Sequence, residues 1–429
     1  HVVSGNSVIR GLSIYNFSGS GIYLALRGGN YIELNYLGID PAGSQGPGNA
    51  ENGLVIDNSP NNIIGGAFKN VISANQASGI FVFGSDAVYN VIAGNYVGVD
   101  NSGTYAMPNK VGITIQSPHT LVGDVNHGNV ISGNSFAGIL MTGEEATNNK
   151  IQSNWIGTDG TASGAIGNSG SGIEITAGAH NNRIGSDGDG NYDLFEGNVI
   201  SGNAGWGVEI SGSSTDNNTV AGNRIGTDQD GLLSIANYES GVRIVDGAQH
   251  NHIGTNGDGW GDNSERNLIS GNGGSGIKIV GQQTAYNVVA GNWIGLDVTG
   301  NQPIGNIGDG VLIGFGSHAN RVGTDGDGIS DHLESNVISG NLSAGVMIIG
   351  ANTSDNVVSG NWIGTDALGL KAQGNNNWGI RIADGAHNNR IGTDADGFHD
   401  LRERNVVSGN HQDGIRIEHT TSIANRISG

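Results

Sequence analysis

The sequence predicts an all-β solenoid of about thirteen three-sided coils, and three observations predict it. A block reading Asn-Val-Ile-Ser-Gly-Asn, or close to it, starts at Asn70, Asn129, Asn198, Asn267, Asn336 and Asn405, and the last five starts lie 69 residues apart. The phrase Asn-x-[Ile/Val] recurs at Asn149, Asn182, Asn218, Asn251, Asn287, Asn320, Asn356, Asn389 and Asn425, in alternating steps of 33 and 36. Gly makes up 78 of 429 residues and Pro only 6, which excludes collagen and leaves no Pro-rich linker.

Each 33- or 36-residue step holds three strand-like pieces in order. Two are Asn-x-Ile. The third is Gly-[Ile/Val]-x-[Ile/Val], as in Gly172-Ile-Glu-Ile175, Gly207-Val-Glu-Ile210 and Gly276-Ile-Lys-Ile279. Its two aliphatics lie two apart and so share one face of a strand. Gly and Asn at the corners tolerate the left-handed backbone of tight turns. Three short strands with such corners close one coil. Coils stacked at ~4.8 Å predict a rod on the order of 60 Å long. A propeller blade has similar strand spacing, but a unit that splits into two like halves fits coils better.

The steps are irregular over residues 1–128 and regular over 129–429, so the chain is expected to be one domain, 1–429. It begins at His1-Val-Val and stops at Arg426-Ile-Ser-Gly429 inside the pattern. That predicts a segment of a longer chain. Neither end shows a cap, which predicts end-to-end self-association.

The phrases "NVISGN", "GIEI", "NNRIG" and "GNWIGTD" resemble the right-handed parallel β-helix repeats of pectate-lyase-like proteins, of the Gly/Asn-rich secreted or surface type. The resemblance covers essentially the whole chain and implies a right-handed parallel β-helix, the hand that parallel crossovers take. It is specific for fold and open for function. That superfamily holds polysaccharide lyases, hydrolases and epimerases, and also adhesins and modules without known activity.

The coils carry insertions of two kinds. In the 36-residue steps an acidic loop separates the two Asn-x-Ile pieces. The four loops contain Asp187, Asp189, Asp193 and Glu196; Asp258, Asp262 and Glu265, with Asn256 in the first place; Asp325, Asp327, Asp331 and Glu334; and Asp394, Asp396, Asp400 and Glu403. Hard oxygen ligands at short alternating spacing, around a Gly that permits a sharp turn, suit Ca²⁺. The pattern resembles the D-x-D-G-D-G-x-x-D-x-x-E loops of thrombospondin type 3 repeats. It lacks their first Asp, whose place is taken by Gly185, Gly254, Gly323 and Gly392. These residues are the candidate structural Ca²⁺ ligands; the alternative is a metal-free loop capped by its own carboxylates. Residues 64–69 and 122–127 are short where the later loops stand. The other insertion carries a single Asp, at 40, 100, 159, 228, 297 and 366, and reads as a turn residue.

Just ahead of that Asp, the residue after the second Asn is Tyr36, Tyr96, Trp155, Arg224, Trp293 and Trp362. Its neighbour is aliphatic and should point inward, so this row should point out. The rings should recur every second coil, roughly 10 Å apart. Such a row can stack on alternate sugars of an extended polysaccharide, with Arg224 as a flat stacking group. The competing reading is that each ring covers the loop beside it. A second outward row runs through the Gly-Ile-x-Ile strands, apolar at Val55, Phe81 and Leu140 and charged at Glu209, Arg243, Lys278, Arg381 and Arg416. Glu209 and Arg243 should pair, whereas Arg381 beside Arg416 would either hold an anion or be solvated. His180, His250, His318 and His387 fall at corners about two coils apart, too far for one metal.

Net charge is −21, which argues against nucleic acid and anionic membrane surfaces and suits cations and neutral ligands. No apolar run is long enough for a membrane span. Catalysis would need one coil to differ, and the departures are few: Arg224, the short early loops, and Glu144-Glu145, whose side chains point to opposite faces if they lie on a strand. The expected role is therefore a non-catalytic extracellular structural or adhesive β-helix rod of a cell-surface or fibre-forming protein, calcium-stabilised. The alternative is a polysaccharide-binding or polysaccharide-active β-helix protein.

Overall fold

The computed structural model describes residues 1–429. The chain is a right-handed parallel β-helix. Its strands belong to three parallel sheets, and its helix is confined to two single turns, Asp193–Glu196 and Asp331–Glu334, inside acidic loops. Two compact units emerge, His1–Gly185 with Phe195–Val208, and Ser186–Leu194 with Glu209–Gly429.

Each coil visits the three sheets in turn. The first sheet takes the strand after the first Asn, such as Lys150–Ile151. The second takes the strand after the second Asn, such as Trp155–Ile156. The third takes the Gly-Ile-x-Ile piece, such as Ile173–Thr176. Alternation places Ile151, Ile156, Ile173 and Ile175 in the core at 0 % exposure. The register keeps like on like: Ile131 pairs with Ile156, and Ile139 with Ile173. In the second unit Ile277 pairs with Val311 and Ile294 with Ile338. Stacked aliphatics thus form the core of each unit.

Asparagine does something other than the corner role expected of it. The repeated Asn side chains are buried and stack into three ladders. In the first unit, Nδ2 of Asn95 donates to Oδ1 of Asn129 and Nδ2 of Asn129 to Oδ1 of Asn154. In the second unit the chain of donors runs Asn223, Asn267, Asn292, Asn336, Asn361, Asn405. The other two ladders include Asn251–Asn287–Asn320 and Asn272–Asn306–Asn341. Each Oδ1 also accepts a backbone N–H from the coil before, and Nδ2 reaches a carbonyl; Asn336 binds Val289 O at 2.8 Å. A buried amide is tolerated only when its donors and acceptors are met, and here the next coil meets them.

The left-handed backbone falls one residue earlier. Asn148, Asn181, Asn217 and Asn388 adopt it, and so do His250, Tyr286, Ala319 and Asp355, all with φ between 52° and 59°. The ladder fixes these corners strongly enough that residues with a Cβ accept the strain. At Gly157 the demand is stricter, because φ is +91° and a Cβ would lie 2.3 Å from Ser201 O.

Candidate functional site: a walled aromatic groove and the acidic loops

The predicted aromatic row lies on the second sheet. Tyr36, Tyr96 and Trp155 alternate with Val71 and Val130 in the first unit. Arg224, Trp293 and Trp362 alternate with Leu268 and Val337 in the second. All six residues of the row are half-buried. The Asp turns press on the rings: a Cβ on Gly103 would lie 2.9 Å from Tyr96, and one on Gly300 would lie 3.2 Å from Trp293. Cations cover ring faces as well. Lys69 Nζ sits 3.9 Å from the Tyr96 ring centre, and the Arg266 guanidinium 4.7 Å from that of Trp293. Loop packing therefore accounts for part of each ring's burial.

In the second unit the row also has two walls. The acidic loops precede the strands of this sheet and the Asp turns follow them, so both loop types border its outer face. Between them lies a cavity of about 740 Å³. Trp293, Val337, Trp362 and Val406, which are register partners, form its floor. Asp331, His332, Ser335, Leu401 and Arg402 line the acidic-loop side, and Thr299, Asn301, Ala367 and Leu368 the other. Arg266 and Arg404 occupy the position just before the second-sheet Asn, on either side of Ser335. Burial pulls the Arg266 guanidinium below its usual value, and its Nε donates to Gly291 O at 3.1 Å.

The single-Asp turns are what the sequence predicts. Oδ1 of Asp366 accepts the N–H groups of Leu370 and Lys371, and Oδ1 of Asp297 those of Asn301 and Gln302. Burial pushes the Asp100 carboxyl up, but hydrogen bonds from Ser102, Tyr105 and Thr104 outweigh it and hold the group below the ordinary range.

The acidic loops share one plan. Asp325 Oδ1 accepts the Asp327 N–H, and Asp327 Oδ1 the Ile329 N–H; Asp394 and Asp396 repeat this with Asp396 and Phe398. Carboxylate oxygens of Asp187, Asp193 and Glu196 lie within 4.8 Å of one another, as do those of Asp325, Asp327 and Asp331 and those of Asp394, Asp396 and Asp400. These oxygens fit a hard divalent cation in kind. Three carboxylates alone fall short of the six to eight donors that Ca²⁺ takes. Glu196 belongs to the first cluster, whereas Glu334 and Glu403 stand apart from theirs. Glu334 is buried, its Oε2 accepting the Asp325 N–H at 3.1 Å and its Oε1 pairing with Arg321 at 3.2 Å. Glu403 does the same with Asp394 and Arg390. In the second loop Glu265 accepts the Asn256 N–H, and Asn256 Nδ2 donates to Asp258. Asp262 there accepts from Thr255 and Gly259. In the first loop Asp189 accepts the Asn191 N–H, Asp187 the Asp189 N–H and Asp193 the Gly190 N–H, and Glu196 is buried.

Two loop components escape the sequence reading. Thr324 and Thr393 donate to Asp331 and Asp400 while accepting the N–H of Gly326 and Ala395. Arg321 also lies 3.4 Å from Asp325, so an internal cation already meets part of the negative charge. The signals were present, as Thr in "GTD" and Arg in "NRVG" and "NRIG". Loops two coils apart also touch. A Cβ on Gly257 would lie 2.7 Å from Glu334, Ser264 Oγ donates to Asp193, and His399 Nδ1 lies 3.9 Å from Asp331.

On the third sheet Glu209 and Arg243 pair at 2.6 Å. Arg381 and Arg416 do hold an anion, the chain's own Glu418. Val55 is 2 % exposed and the Phe81 ring stacks on Phe83, so much of that apolar row is covered from within. The corner histidines serve as turn and stacking groups: His180 Nδ1 lies 2.8 Å from Gly178 O, and His250 stacks on Tyr286.

No family model and no curated protein matches the chain. Solved structures do. Two A-modules of mannuronan C-5 epimerase from Azotobacter vinelandii match at 14 % and 15 % identity, with TM-scores of 0.39 and 0.35; each match covers 97 % of this chain, and 88 % and 86 % of theirs. A hyper-glycosylated TibA fragment matches at 10 % identity and a TM-score of 0.30, over the whole of both chains. The parallel β-helix architecture of this chain rests on its own three parallel sheets. At these identities the likeness is one of architecture and carries no activity across. No helix is long and apolar enough to cross a membrane.

Proposed function

We propose that this protein is a non-catalytic, extracellular polysaccharide-binding β-helix whose second sheet holds the glycan. One observation carries the reading: Trp293 and Trp362, on alternate coils, floor a cavity of about 740 Å³ walled by both loop types. Ligand sites are commonly concave, of this size, and lined by aromatic groups with a few polar ones. Sugar faces are apolar and stack on such rings, and roughly 10 Å between alternate coils spaces two rings along an extended chain. Support for a non-catalytic role comes from Asp331, the carboxylate lining the groove. It is 5 % exposed and already accepts from Gly328 and Thr324, which leaves it poorly placed for acid–base work.

The test is binding of the whole chain to a panel of polysaccharides, with Trp362→Ala and Trp293→Ala alongside. Each variant is expected to weaken binding at least tenfold while the circular dichroism spectrum is unchanged. Full-strength binding by both variants would overturn the reading.

A second reading, a calcium-stabilised structural or adhesive β-helix, is favoured by the three three-carboxylate clusters and by the contacts between successive acidic loops. The two readings share Asp331, which lines the groove and also belongs to the cluster with Asp325 and Asp327, and a loop can serve both.

A further inference from the structure

We infer that the groove of the second unit selects acidic saccharides, those bearing carboxylates, against neutral ones of the same length; this rests on the glycan reading above. Bulk composition points the other way, since a chain of net charge −21 should repel anions. The groove reverses the sign locally. Arg266, Arg402 and Arg404 all line it. Arg402 and Arg404 are exposed and form no ion pair with any carboxylate of the chain, unlike Arg321 and Arg390 in the same loops, which are tied to Glu334 and Glu403. The Arg266 guanidinium sits over the Trp293 ring, 4.7 Å from its centre, and its Nε donates to Gly291 O. The single carboxylate of the lining, Asp331, is buried and hydrogen-bonded.

The placement follows the repeat. On alternate coils the position before the second-sheet Asn reads Lys69, Gly128, Gly197, Arg266, Ser335 and Arg404, and on the intervening coils of the second unit it is Gly222, Gly291 and Gly360. Two arginines therefore bracket three small residues, Gly291, Ser335 and Gly360, along the floor that also carries Trp293 and Trp362. Rings at alternate coils would take sugar faces, while the guanidinium groups beside them would take carboxylates. Guanidinium recognises a planar carboxylate through two parallel N–H donors, which a neutral hydroxyl cannot match. A neutral sugar in the same place would leave these cations without a counter-charge.

Calorimetric titration of the whole chain decides it, with an oligogalacturonate and a neutral cello-oligosaccharide of equal length, both in EDTA so that no metal bridges ligand and loops. The oligouronate is expected to bind at least tenfold tighter, with an affinity that falls as salt rises. The double variant Arg402→Gln/Arg404→Gln, at exposed positions, should lose most of that preference and keep its binding to the neutral sugar. Equal binding of the two sugars would overturn the acidic preference and leave the glycan reading standing. Binding of neither would overturn both. Oligouronate binding that vanishes in EDTA and returns with Ca²⁺ would assign the acid to a metal and overturn the role given to the arginines.

Discussion

Tyr36, Tyr96 and Trp155 in the first unit and Trp293 and Trp362 in the second belong to the same outward row, built on the same strands in the same register. Their surroundings differ. In the first unit the side of the sheet preceding Tyr96 and Trp155 is bordered by the short segments 64–69 and 122–127. In the second unit the same side carries the acidic loops, with Asp331–Glu334 and the residues around Arg402 standing as a wall. The periodic strands make the floor of a groove, and the insertions decide whether it has sides. A repeat scaffold can thus confine a ligand site to part of its length without changing the coil.

The scaffold common to both units should give the largest effect. Asn129 and Asn336 occupy equivalent ladder positions. Each takes a backbone N–H on Oδ1 and gives Nδ2 to a carbonyl and to the next Asn. Asn336→Ala strands all three partners in a dry interior and should cost about 3–5 kcal/mol in urea unfolding. Asn129→Ala should cost the same. A marked difference between the two would show that the ladder supports the units unequally.

Much of this was legible from spacing alone. Steps of 33 and 36 gave the coils, and the aliphatic pair of each third strand gave its inward face, because side-chain alternation is a local property of strands. The ladders were not legible. A buried Asn reads the same as a corner Asn until the coil above it is known, and the residue that takes the left-handed turn varies from Asn148 to Tyr286 to Ala319. The groove was half legible. Trp293 and Trp362 announced the floor, but Arg266 and Arg404 lie on other coils, and their convergence depends on how the loops fold. Likewise, spacing alone placed Glu334 among the ligands, whereas its reach to the Asp325 N–H and to Arg321 depends on the single helical turn 331–334.

Calcium should separate the units next. If the acidic loops hold the ion, stability rises by RT ln(1 + [L]/Kd), about 2.7 kcal/mol at a hundredfold excess over Kd. Calorimetry with and without chelator reads the total. Hydrogen exchange reads the location: slowing is expected at 187–196, 325–334 and 394–403, with no change at 64–69 or 122–127. An unchanged melting temperature on chelation would remove the metal from the account and leave loops capped by their own turns, arginines and threonines.

A smaller contrast lies at the corner before the third sheet. Both units place small residues there, Ser78, Ala137 and Ser171 in the first and Ser240, Ser275 and Ala344 in the second, but the second also buries Asp309 at 7 % exposure. Burial raises the Asp309 carboxyl above its ordinary 3.8, against the opposing pull of Ser343, the Ala344 N–H and Arg381. The folded state then binds the proton more tightly than the unfolded chain. Stability from this group is greatest below the unfolded value and falls as pH rises through the raised one. Asp309→Asn should flatten that part of the stability–pH curve, with a gain at neutral pH on the order of 1 kcal/mol, the usual net value of one buried hydrogen-bonded group. An identical pH profile in the variant would mean the aspartate is not under strain.

The third sheet offers the finest test, since its outward row is apolar at Val55 and Phe81 but charged at Glu209 and Arg243. The pair is close, at 2.6 Å, with side chains 11 % and 24 % exposed. Partly exposed ion pairs gain little Coulomb energy net of the entropy of holding two long side chains, so a double-mutant cycle on Glu209→Gln and Arg243→Met should give a coupling under about 1 kcal/mol. Salt should shrink it further, because the pair lies where counter-ions reach. Phe81→Ala in the first unit removes ring contacts that salt does not touch, so its cost should stay constant across the same salt range. A coupling well above 1 kcal/mol that resists salt would mean that charge, rather than apolar cover, holds neighbouring coils of the second unit in register on this face.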